Sequence, residues 1–522
     1  MSDIKTFAFE KSSFEGVKTF ALGRNWPVVY IIENGKEVYI GETTNAYNRS
    51  KQHYENADRM RLERMHLITD EEYNKSATLD IESLLIQYFS AEGTLKLQNG
   101  NRGLVNHNYF DKARYLAKFE TLWEKLQAMS LVKRGLNEIR NSEMFKYSPY
   151  KALTEDQLAI AETLQTILET TPSGTHIVNG GPGTGKTNLA TYLVKALKGD
   201  EKTKHLVVGL VIPMTSLRQS LKDVFSHIEG LSANMVIGPS EVADKKYDLL
   251  IVDEAHRLRQ RKNLTNYDVF DKMNQKLGLG QEGTELDWVL LNSRHQILFY
   301  DENQSIRPTD VHAVRFQQLN ATHHHLTSQL RVSGGEKYIE FIEKLFAGDK
   351  NPDSAFQNYD FKIYDDASLM VADIKAKDDA LGLCRIVAGY AWRWASKKDP
   401  SAFDIEIDGL KLKWNGTATD WVNSPNAINE VGCIHTVQGY DLNYVGVIVG
   451  PELSYDAETD RLTINPDKYE DRNGWRGITD PAELERYIIN IYKTLMTRGM
   501  KGCYVYFVDK KVEQYFRNRM SK

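Results

Sequence analysis

Residues 176–197 read HIVNGGPGTGKTNLATYLVKAL, and the architecture of the chain follows from them. An apolar run is followed by a glycine-rich loop of the pattern GxxxxGK[ST] and then by a segment with helical periodicity. Backbone N–H groups in such a loop surround phosphates at the N-terminus of a helix. The sequence therefore predicts a nucleotide-phosphate site at Gly180, Gly181, Gly183, Thr184, Gly185, Lys186 and Thr187.

A second apolar run at 249–252 ends in two acidic residues, Asp253 and Glu254. Lys186 is expected to neutralise the outer phosphates, and Thr187 and Asp253 are expected to hold magnesium. Glu254 is suited to act as the base that orients an attacking water. A chance glycine-rich turn and a solvated acidic turn are the alternatives, but the two motifs together favour a site for ATP and magnesium.

Apolar strands alternate with helical segments beyond residue 153, which predicts a parallel α/β fold with two sheets. The 522 residues exceed one hydrophobic core, so about three units are expected. Residues 140–152 have the composition of a linker. We find no internal repeat and no low-complexity tract, which excludes a solenoid.

Composition and charge exclude several classes of protein. The formal net charge of -5 argues against a binder that depends wholly on positive charge, although a basic groove can exist in an acidic protein. Cys384, Cys433 and Cys503 are far apart, so neither a disulfide framework nor a zinc knuckle is supported. No apolar leader or membrane span is recognised, and we expect a cytoplasmic protein without a membrane partner.

The N-terminal region contains a hairpin signal. Residues 28–40 read VVYIIENGKEVYI, with Asn34 and Gly35 between two β-prone runs. Two helix-like segments follow, one after Thr44 and one after Ser76. The expected domain is a small ββαα unit.

Residues 148 to 515 resemble superfamily 1 helicases and, more narrowly, the Schlafen-type DNA/RNA helicase domains of bacteria. Besides the phosphate loop and the acidic strand end, the matching motifs are Leu153–Gln157, Tyr300–Gln304, Ser328–Arg331, Ile434–Asp441 and Leu495–Gly499. Taken singly, each Arg or Gln in them could be a surface residue, whereas their order along the chain favours a motor built from two RecA-like lobes.

This resemblance implies roles for single residues. Gln157 would read the adenine edge, Gln304 would sense the γ-phosphate, and Arg331 would reach the phosphates from the second lobe. Gln438 and Gly439 would couple contact with the nucleic-acid strand to the nucleotide, and Arg498 would be the arginine finger. An arginine delivered from a second lobe makes hydrolysis conditional on closure, which a motor requires.

Residues 25 to 110 resemble the GIY-YIG nuclease family through Val28-Val29-Tyr30 and Tyr39-Ile40-Gly41. Tyr30 and Tyr39 would flank the scissile phosphate, and one of them would help to activate water. Arg49 and His53 lie four residues apart and share a helix face. Glu82 would be the single protein carboxylate on a divalent metal, magnesium or manganese, and Asn99 would be the terminal polar support, with Asn101 and Asn106 as alternatives.

Two further groups of residues have plainer interpretations. The run His323-His324-His325 invites a metal hypothesis, but alternate faces of a strand would separate the side chains. Core or interface packing is favoured over base stacking for Trp392, Trp394, Trp414 and Trp421. The stretch from Lys398 to Asn426 departs from the strand-helix rhythm, and no function follows from it.

The sequence therefore predicts four segments: a GIY-YIG-like nuclease domain at 1–110, a helical connector at 111–147, and RecA-like lobes at 148–315 and 316–522. The expected activity is ATP-dependent movement on nucleic acid, with DNA favoured and RNA left open, coupled to endonuclease cleavage. A role in antiphage defence extrapolates from this combination. One alternative is an ATP-switched binding module whose N-terminal domain recognises structure without cutting. Another is a P-loop ATPase that acts on a protein partner.

Overall fold

The computed structural model describes residues 2–99, 109–264, 266–301, 304, 307–417, 420–437, 439–476, 478 and 480–520. These residues form two compact units. Unit 1 comprises Met1–Glu169, Thr187–His205 and His227–Leu231, and unit 2 comprises Thr170–Lys186, Leu206–Ser226 and Ser232–Lys522. Among the described helices, none combines the length and the apolar composition that a bilayer crossing requires.

Unit 1 begins with a five-stranded mixed sheet of order β1-β4-β2-β3-β5. Its strands are β1 Asp3–Ala8, β2 Arg24–Glu33, β3 Glu37–Asn45, β4 Arg64–Thr69 and β5 Lys96–Leu97. β2 and β3 form the predicted hairpin, and Gly35 at its turn has a φ of 76°, which glycine adopts without strain. The predicted ββαα unit is wrong in its strand count, because β1, β4 and β5 are short or carry charged residues and lack a strong apolar alternation.

The helices described between residues 14 and 170 are α1 Phe14–Thr19, α2 Ala46–Tyr54, α3 Lys75–Glu92, α4 Lys112–Ala128, α5 Leu136–Asn141, α6 Glu143–Lys146 and α7 Glu155–Thr170. α2 and α3 are the two helices predicted after the hairpin. The expected linker at 140–152 instead contains α6, whose N-terminus is capped by the Ser142 side chain through Phe145 N. The Phe145 ring packs 4.6 Å from that of Tyr88, so tertiary packing orders a segment of linker-like composition.

A six-stranded parallel sheet forms the first lobe of unit 2, in the order β11-β6-β10-β9-β7-β8. Its strands are β6 Gly174–Gly180, β7 Val208–Val211, β8 Val236–Ile237, β9 Tyr247–Val252, β10 Ser293–Tyr300 and β11 Ala321–Leu326. The helices along this part of the chain are α8 Lys186–Gly199, α9 Thr215–Ser226, α10 Tyr267–Lys276, α11 Glu285–Asn292 and α12 Ala313–Gln317. Because β6, β10 and β9 are neighbours, the loops at their carboxyl ends lie side by side.

A seven-stranded sheet forms the second lobe, in the order β12-β20-β17-β13-β16-β15-β14. The strands in this part of the chain are β12 Asp360–Tyr364, β13 Arg385–Ala388, β14 Ile405–Ile407, β15 Leu410–Trp414, β16 Glu430–Cys433, β17 Leu442–Val449, β18 Leu453–Asp456, β19 Arg461–Ile464 and β20 Gly499–Phe507. The helices are α13 Gly335–Ala347, α14 Ala367–Leu381, α15 Ile434–Val437, α16 Arg472–Trp475, α17 Pro481–Met496 and α18 Lys510–Met520. β18 and β19 form a separate hairpin. The prediction of an α/β fold with two mainly parallel sheets after a small N-terminal domain is confirmed.

The stretch from Lys398 to Asn426, which sequence reasoning left without a role, adds a β-hairpin to the second sheet. β15 pairs in parallel with β16, and β14 pairs antiparallel with β15. Asp404 fixes the hairpin, since its carboxylate accepts hydrogen bonds from Ser396 N at 2.7 Å and Trp414 N at 2.8 Å. Trp414 and Trp421 are buried in this lobe, in agreement with the packing interpretation.

Candidate functional site

The phosphate loop follows β6 and has the backbone that its glycines predict. Gly183 and Gly185 have φ values of 81° and 77°, in the left-handed region that favours glycine. The Lys186 ammonium, buried at the end of the loop, donates to Gly180 O at 2.6 Å and to Gly181 O at 2.9 Å. It also lies 3.7 Å from Asp301 Oδ2 at the end of β10. The lysine is therefore oriented toward the interior of the loop, where the phosphates are expected to bind.

The two acidic residues lie directly after β9. Asp253 is fully buried, and Glu254 adopts a φ of 52°, a conformation that costs free energy for a residue with a side chain. Burial raises the pKa of the Glu254 carboxyl, but the nearby His256, Lys186 and Arg257 lower it well below its ordinary value. Glu254 is therefore a charged acceptor, the state that a water-orienting base requires.

A chain of side chains joins β10 to the segment after α17. Gln304 Nε2 donates to Asp301 Oδ2 at 2.6 Å, and Arg498 Nη2 donates to Gln304 Oε1 at 3.5 Å. Arg498 is 2% exposed and also donates to Tyr440 O at 3.4 Å. Burial and the neighbouring Arg331 lower the pKa of Arg498 to about 10, so it remains charged at neutral pH. The proposed γ-phosphate sensor and arginine finger thus belong to the same network as Lys186.

The segment that carries Arg331 packs on the phosphate loop. Gln329 Nε2 donates to Pro182 O at 2.6 Å, and Leu330 N donates to Gly183 O at 2.8 Å. A Cβ on Gly183 would lie 2.1 Å from Gln329 Oε1, so only glycine allows this approach. Arg331 itself forms an ion pair with Asp441.

Two of the remaining residues predicted for the nucleotide site, Gln157 and Thr187, belong to unit 1. Gln157 is buried, and its Oε1 accepts from Thr154 N at 3.1 Å. Thr187 is half-buried. Gly439 has a φ of 89°, and Gln438 lies outside the described residues. Sequence reasoning missed Gln329 and Asp441 as contact residues, although both stand inside quoted motifs.

A second cluster lies in unit 1 on the β2–β3 hairpin. Tyr30 in β2 is the strand partner of Gly41 in β3. The tyrosine ring lies across the glycine, since a Cβ on Gly41 would be 2.2 Å from Tyr30 Oη. The close approach of this ring explains in physical terms why a glycine follows Tyr39 and Ile40.

Helix α2 supplies two more members of this group. Tyr30 Oη lies 2.7 Å from His53 Nε2 and accepts a hydrogen bond from Arg49 Nε at 3.3 Å. The Tyr39 ring lies 4.7 Å from the His53 imidazole. We name these four residues, Tyr30, Tyr39, Arg49 and His53, the tyrosine–histidine cluster. Burial, Arg59 and Arg49 lower the pKa of His53 to about 3, so its imidazole is neutral.

Glu82 on α3, which is half-buried, is the carboxyl predicted as the metal ligand. Burial and the Glu42 carboxylate raise the pKa of Glu82 to about 7, against the opposing effects of Lys75 and Arg49. Within the described part of the chain, the buried Glu42 Oε2 has no hydrogen-bond partner, while the same side chain pairs with Lys75. Carboxylate oxygens that repel one another fit a hard divalent cation such as Mg²⁺ or Mn²⁺. No group of three or more metal-ligating side chains occurs in the described residues.

Asn99 braces β3. Its Oδ1 accepts from Ile40 N at 3.0 Å and its Nδ2 donates to Ile40 O at 2.7 Å. The side chain is thus bound to the backbone beside Tyr39 and Gly41, as a polar support. The alternatives Asn101 and Asn106 lie outside the described residues.

Comparison with known proteins finds similar sequences and structures. An uncharacterized protein of Saccharomyces cerevisiae, YPL245W, is 27% identical over 388 residues, which is 65% of this chain and 82% of the yeast protein. Among solved structures, the Arterivirus nonstructural protein 10 helicase has a TM-score of 0.32 and 12% identity, over 69% of this chain and 63% of the viral one. This chain therefore spans less than two thirds of that helicase.

The Bacteroides Pif1 structure bound to ssDNA has a TM-score of 0.27 and 12% identity, over 68% of this chain and 92% of that one. TM-scores of this size support no inference about the present chain. The model of the family described as Schlafen group 3, DNA/RNA helicase domain, matches residues 173–509. This match spans more than half of the sequence and contains the whole network around Lys186. The chain therefore belongs to the Schlafen group 3 DNA/RNA helicase domain family.

Proposed function

We propose that this chain hydrolyses ATP to move along nucleic acid, DNA rather than RNA, and cuts phosphodiester bonds with its N-terminal domain. The observation that carries the first activity is the network that joins Lys186, Asp301, Gln304 and Arg498. The second lobe contributes Arg498, so hydrolysis depends on the positions of both lobes. Family membership supports this motor function.

For ATP hydrolysis, Glu254 orients a water for attack on the γ-phosphorus. The bond from that phosphorus to the bridging oxygen breaks, and Lys186 and Arg498 stabilise the charge that accumulates on the phosphate oxygens. Asp253 and Thr187 are the residues that would hold magnesium, which would neutralise negative charge on the phosphates. Gln157 would contact the adenine, and Arg331 would exchange its ion pair with Asp441 for the phosphates.

For cleavage, the tyrosine–histidine cluster and Glu82 would form a GIY-YIG-like nuclease site. Glu82, with Glu42 nearby, is the residue that would hold a divalent cation, and such an ion would polarise the scissile phosphate. Arg49 stabilises the charge of the pentavalent state, and Tyr30 and Tyr39 flank the phosphate. Support for this assignment comes from the hydrogen bonds of Tyr30 and from the raised pKa of Glu82.

We further propose that the activities divide along the chain. Residues 1–110 form the nuclease domain, residues 111–147 the helical connector, and residues 148–315 and 316–522 the two lobes. The five-stranded sheet between residues 3 and 97 supports the first boundary. The boundary predicted at 315 needs correction, because β11 Ala321–Leu326 pairs with β6 in the first sheet and the lobes therefore divide after residue 326.

The test is cleavage of labelled single-stranded, duplex and forked DNA and matching RNA, with Mg²⁺ or Mn²⁺, with and without ATP. Glu82→Gln should abolish cutting while nucleic-acid-stimulated ATP hydrolysis continues, and Lys186→Ala should abolish hydrolysis and any ATP dependence of cutting. Glu71→Gln is the matched control, because Glu71 is an exposed carboxylate next to the same helix. Cutting by Glu82→Gln at the wild-type rate would contradict the nuclease assignment.

The runner-up is an ATP-switched binding module that recognises structure without cutting. It predicts that wild type cuts no substrate under these conditions, while ATP turnover still responds to nucleic acid. A rate of ATP hydrolysis that changes with neither DNA nor RNA would contradict the motor assignment and favour a protein partner.

A further inference from the structure

Arg59 lies on the turn between α2 and β4, and its backbone is fixed on both sides. Asn56 accepts hydrogen bonds from Arg59 N, through Oδ1 at 3.2 Å and through its carbonyl O at 3.1 Å. The buried Leu62 donates its N–H to Arg59 O at 3.0 Å. The side chain of Arg59 therefore starts from a defined point beside the tyrosine–histidine cluster.

The Arg59 guanidinium contacts two members of that cluster. Its Nη1 lies 2.7 Å from His53 Nδ1, and its Cζ lies 3.9 Å from the centre of the Tyr39 ring. A guanidinium stacks favourably on an aromatic face. Tyr39 thus holds the arginine where it meets the imidazole.

The chemistry of these groups assigns the proton on His53. A guanidinium has five N–H donors, no acceptor, and a permanent charge. The contact with Arg59 is a hydrogen bond only when His53 Nδ1 is unprotonated and accepts. A neutral imidazole then carries its proton on Nε2, which faces Tyr30 Oη at 2.7 Å. His53 is therefore a donor to Tyr30 and has no free nitrogen to receive the tyrosine proton.

The hydrogen-bond donors around Tyr30 also determine the direction of its hydroxyl proton. Its oxygen already accepts from His53 Nε2 and from Arg49 Nε. The hydroxyl proton must point in the remaining direction, away from both donors. Tyr30 is thereby prepared to exchange that proton with a bound substrate or water and not with His53.

We propose that Arg59 is a positioning residue that fixes His53 as a neutral Nε2–H donor and thereby orients the hydroxyl of Tyr30. The effect on cleavage rests on the nuclease function proposed above, whereas the tautomer of His53 does not. The titratable and charged groups that face the imidazole are Arg59, Arg49, Tyr30 and Tyr39.

The test is nitrogen NMR of the imidazoles in the full-length protein labelled with 15N-histidine. The chain has 13 histidines, and the His53 signals are identified by their loss in His53→Gln. In wild type, Nδ1 should have the shift of an unprotonated nitrogen and Nε2 that of a protonated one, unchanged from pH 8 to pH 5. The opposite tautomer, or a His53 that gains a second proton in this range, would overturn the proposal without any Arg59 variant.

The variant Arg59→Met keeps the aliphatic stem but removes the donor. Its His53 should lose the tautomer preference and become easier to protonate, because one flanking positive charge is gone. Arg61→Met is the matched control: Arg61 lies two residues away, forms an ion pair with Glu37 at 2.6 Å, and is 54% exposed. An unchanged tautomer in Arg59→Met would overturn the proposal.

Cleavage assays then separate this inference from the proposed function. Relative to Arg61→Met, kcat of Arg59→Met should fall about 10- to 100-fold, because Tyr30 loses its orientation. An altered tautomer with an unchanged kcat would overturn the positioning role. Wild type that cuts nothing, but has the expected tautomer, would contradict the nuclease function alone.

Discussion

Replacing Gly41 by alanine tests the arrangement of Tyr30 with the smallest possible change. The added Cβ would lie 2.2 Å from Tyr30 Oη and 2.4 Å from Tyr30 Cζ, whereas non-bonded carbon contacts need about 3.5 Å. The ring must therefore shift by about 1 Å, which disrupts its 2.7 Å hydrogen bond with His53. A misplacement of about 1 Å costs about 100-fold in rate, and overpacking costs about 1–3 kcal/mol of unfolding free energy.

The assay combines single-turnover cleavage of labelled DNA with denaturant unfolding of the same preparation. Gly135→Ala is the control, since a Cβ there meets nothing within 4 Å and the φ of -73° suits any residue. A Gly41→Ala protein that folds and cuts at the wild-type rate would refute the reasoning, because Tyr30 would then play no part in the chemistry.

Three further predictions concern unit 2. Arg498→Ala should bind ATP analogues yet hydrolyse ATP at least about 1,000-fold more slowly; normal phosphate release would contradict its role. Asp441→Asn leaves Arg331 without its ionic partner, so the nucleotide-free protein should melt lower and gain more from an ATP analogue in thermal-shift measurements than wild type does. Burial raises the pKa of the Glu452 carboxyl from 4.5 to about 7. The folded state therefore binds this proton more tightly than the unfolded chain does. As a result, the free energy of unfolding falls as the pH rises from 4.5 to 7. Glu452→Gln should therefore be more stable than wild type by about 3 kcal/mol at pH 8 and equal to it below pH 4.5, and a difference that does not depend on pH would exclude this cause.

Local sequence patterns were sufficient to predict those site residues that lie in one loop or at the end of one strand. The phosphate loop could be predicted because the backbone at Gly183 and Gly185 needs glycine and because Lys186 follows at a fixed spacing. The hairpin itself could be expected from Asn34-Gly35, but its register could not. A two-residue turn there would pair Tyr30 with Tyr39, whereas the loop spans residues 34–37 and pairs Tyr30 with Gly41.

Contacts between distant segments carried no such signal. Asp441 meets Arg331 across more than a hundred residues. Arg59 is only six residues from His53, but it lies on a turn, where no periodicity predicts the contact. The strands β1 and β4 pair across about sixty residues, and their mixed polarity hides them from pattern analysis. These features depend on tertiary packing, which overrides local propensity.

The hairpin of β14 and β15 also forms one edge of the second sheet, where strands of other protein molecules could pair. Without it, β16 would end the sheet and expose a row of unpaired backbone N–H and C=O groups, a template for strands of other chains. With it, the last strand is only three residues long, and its exposed Glu406 pairs with Lys411 at 3.3 Å. A short, charged edge resists intermolecular strand pairing. The hairpin thus covers an edge of the second sheet that would otherwise be open to strands of other chains.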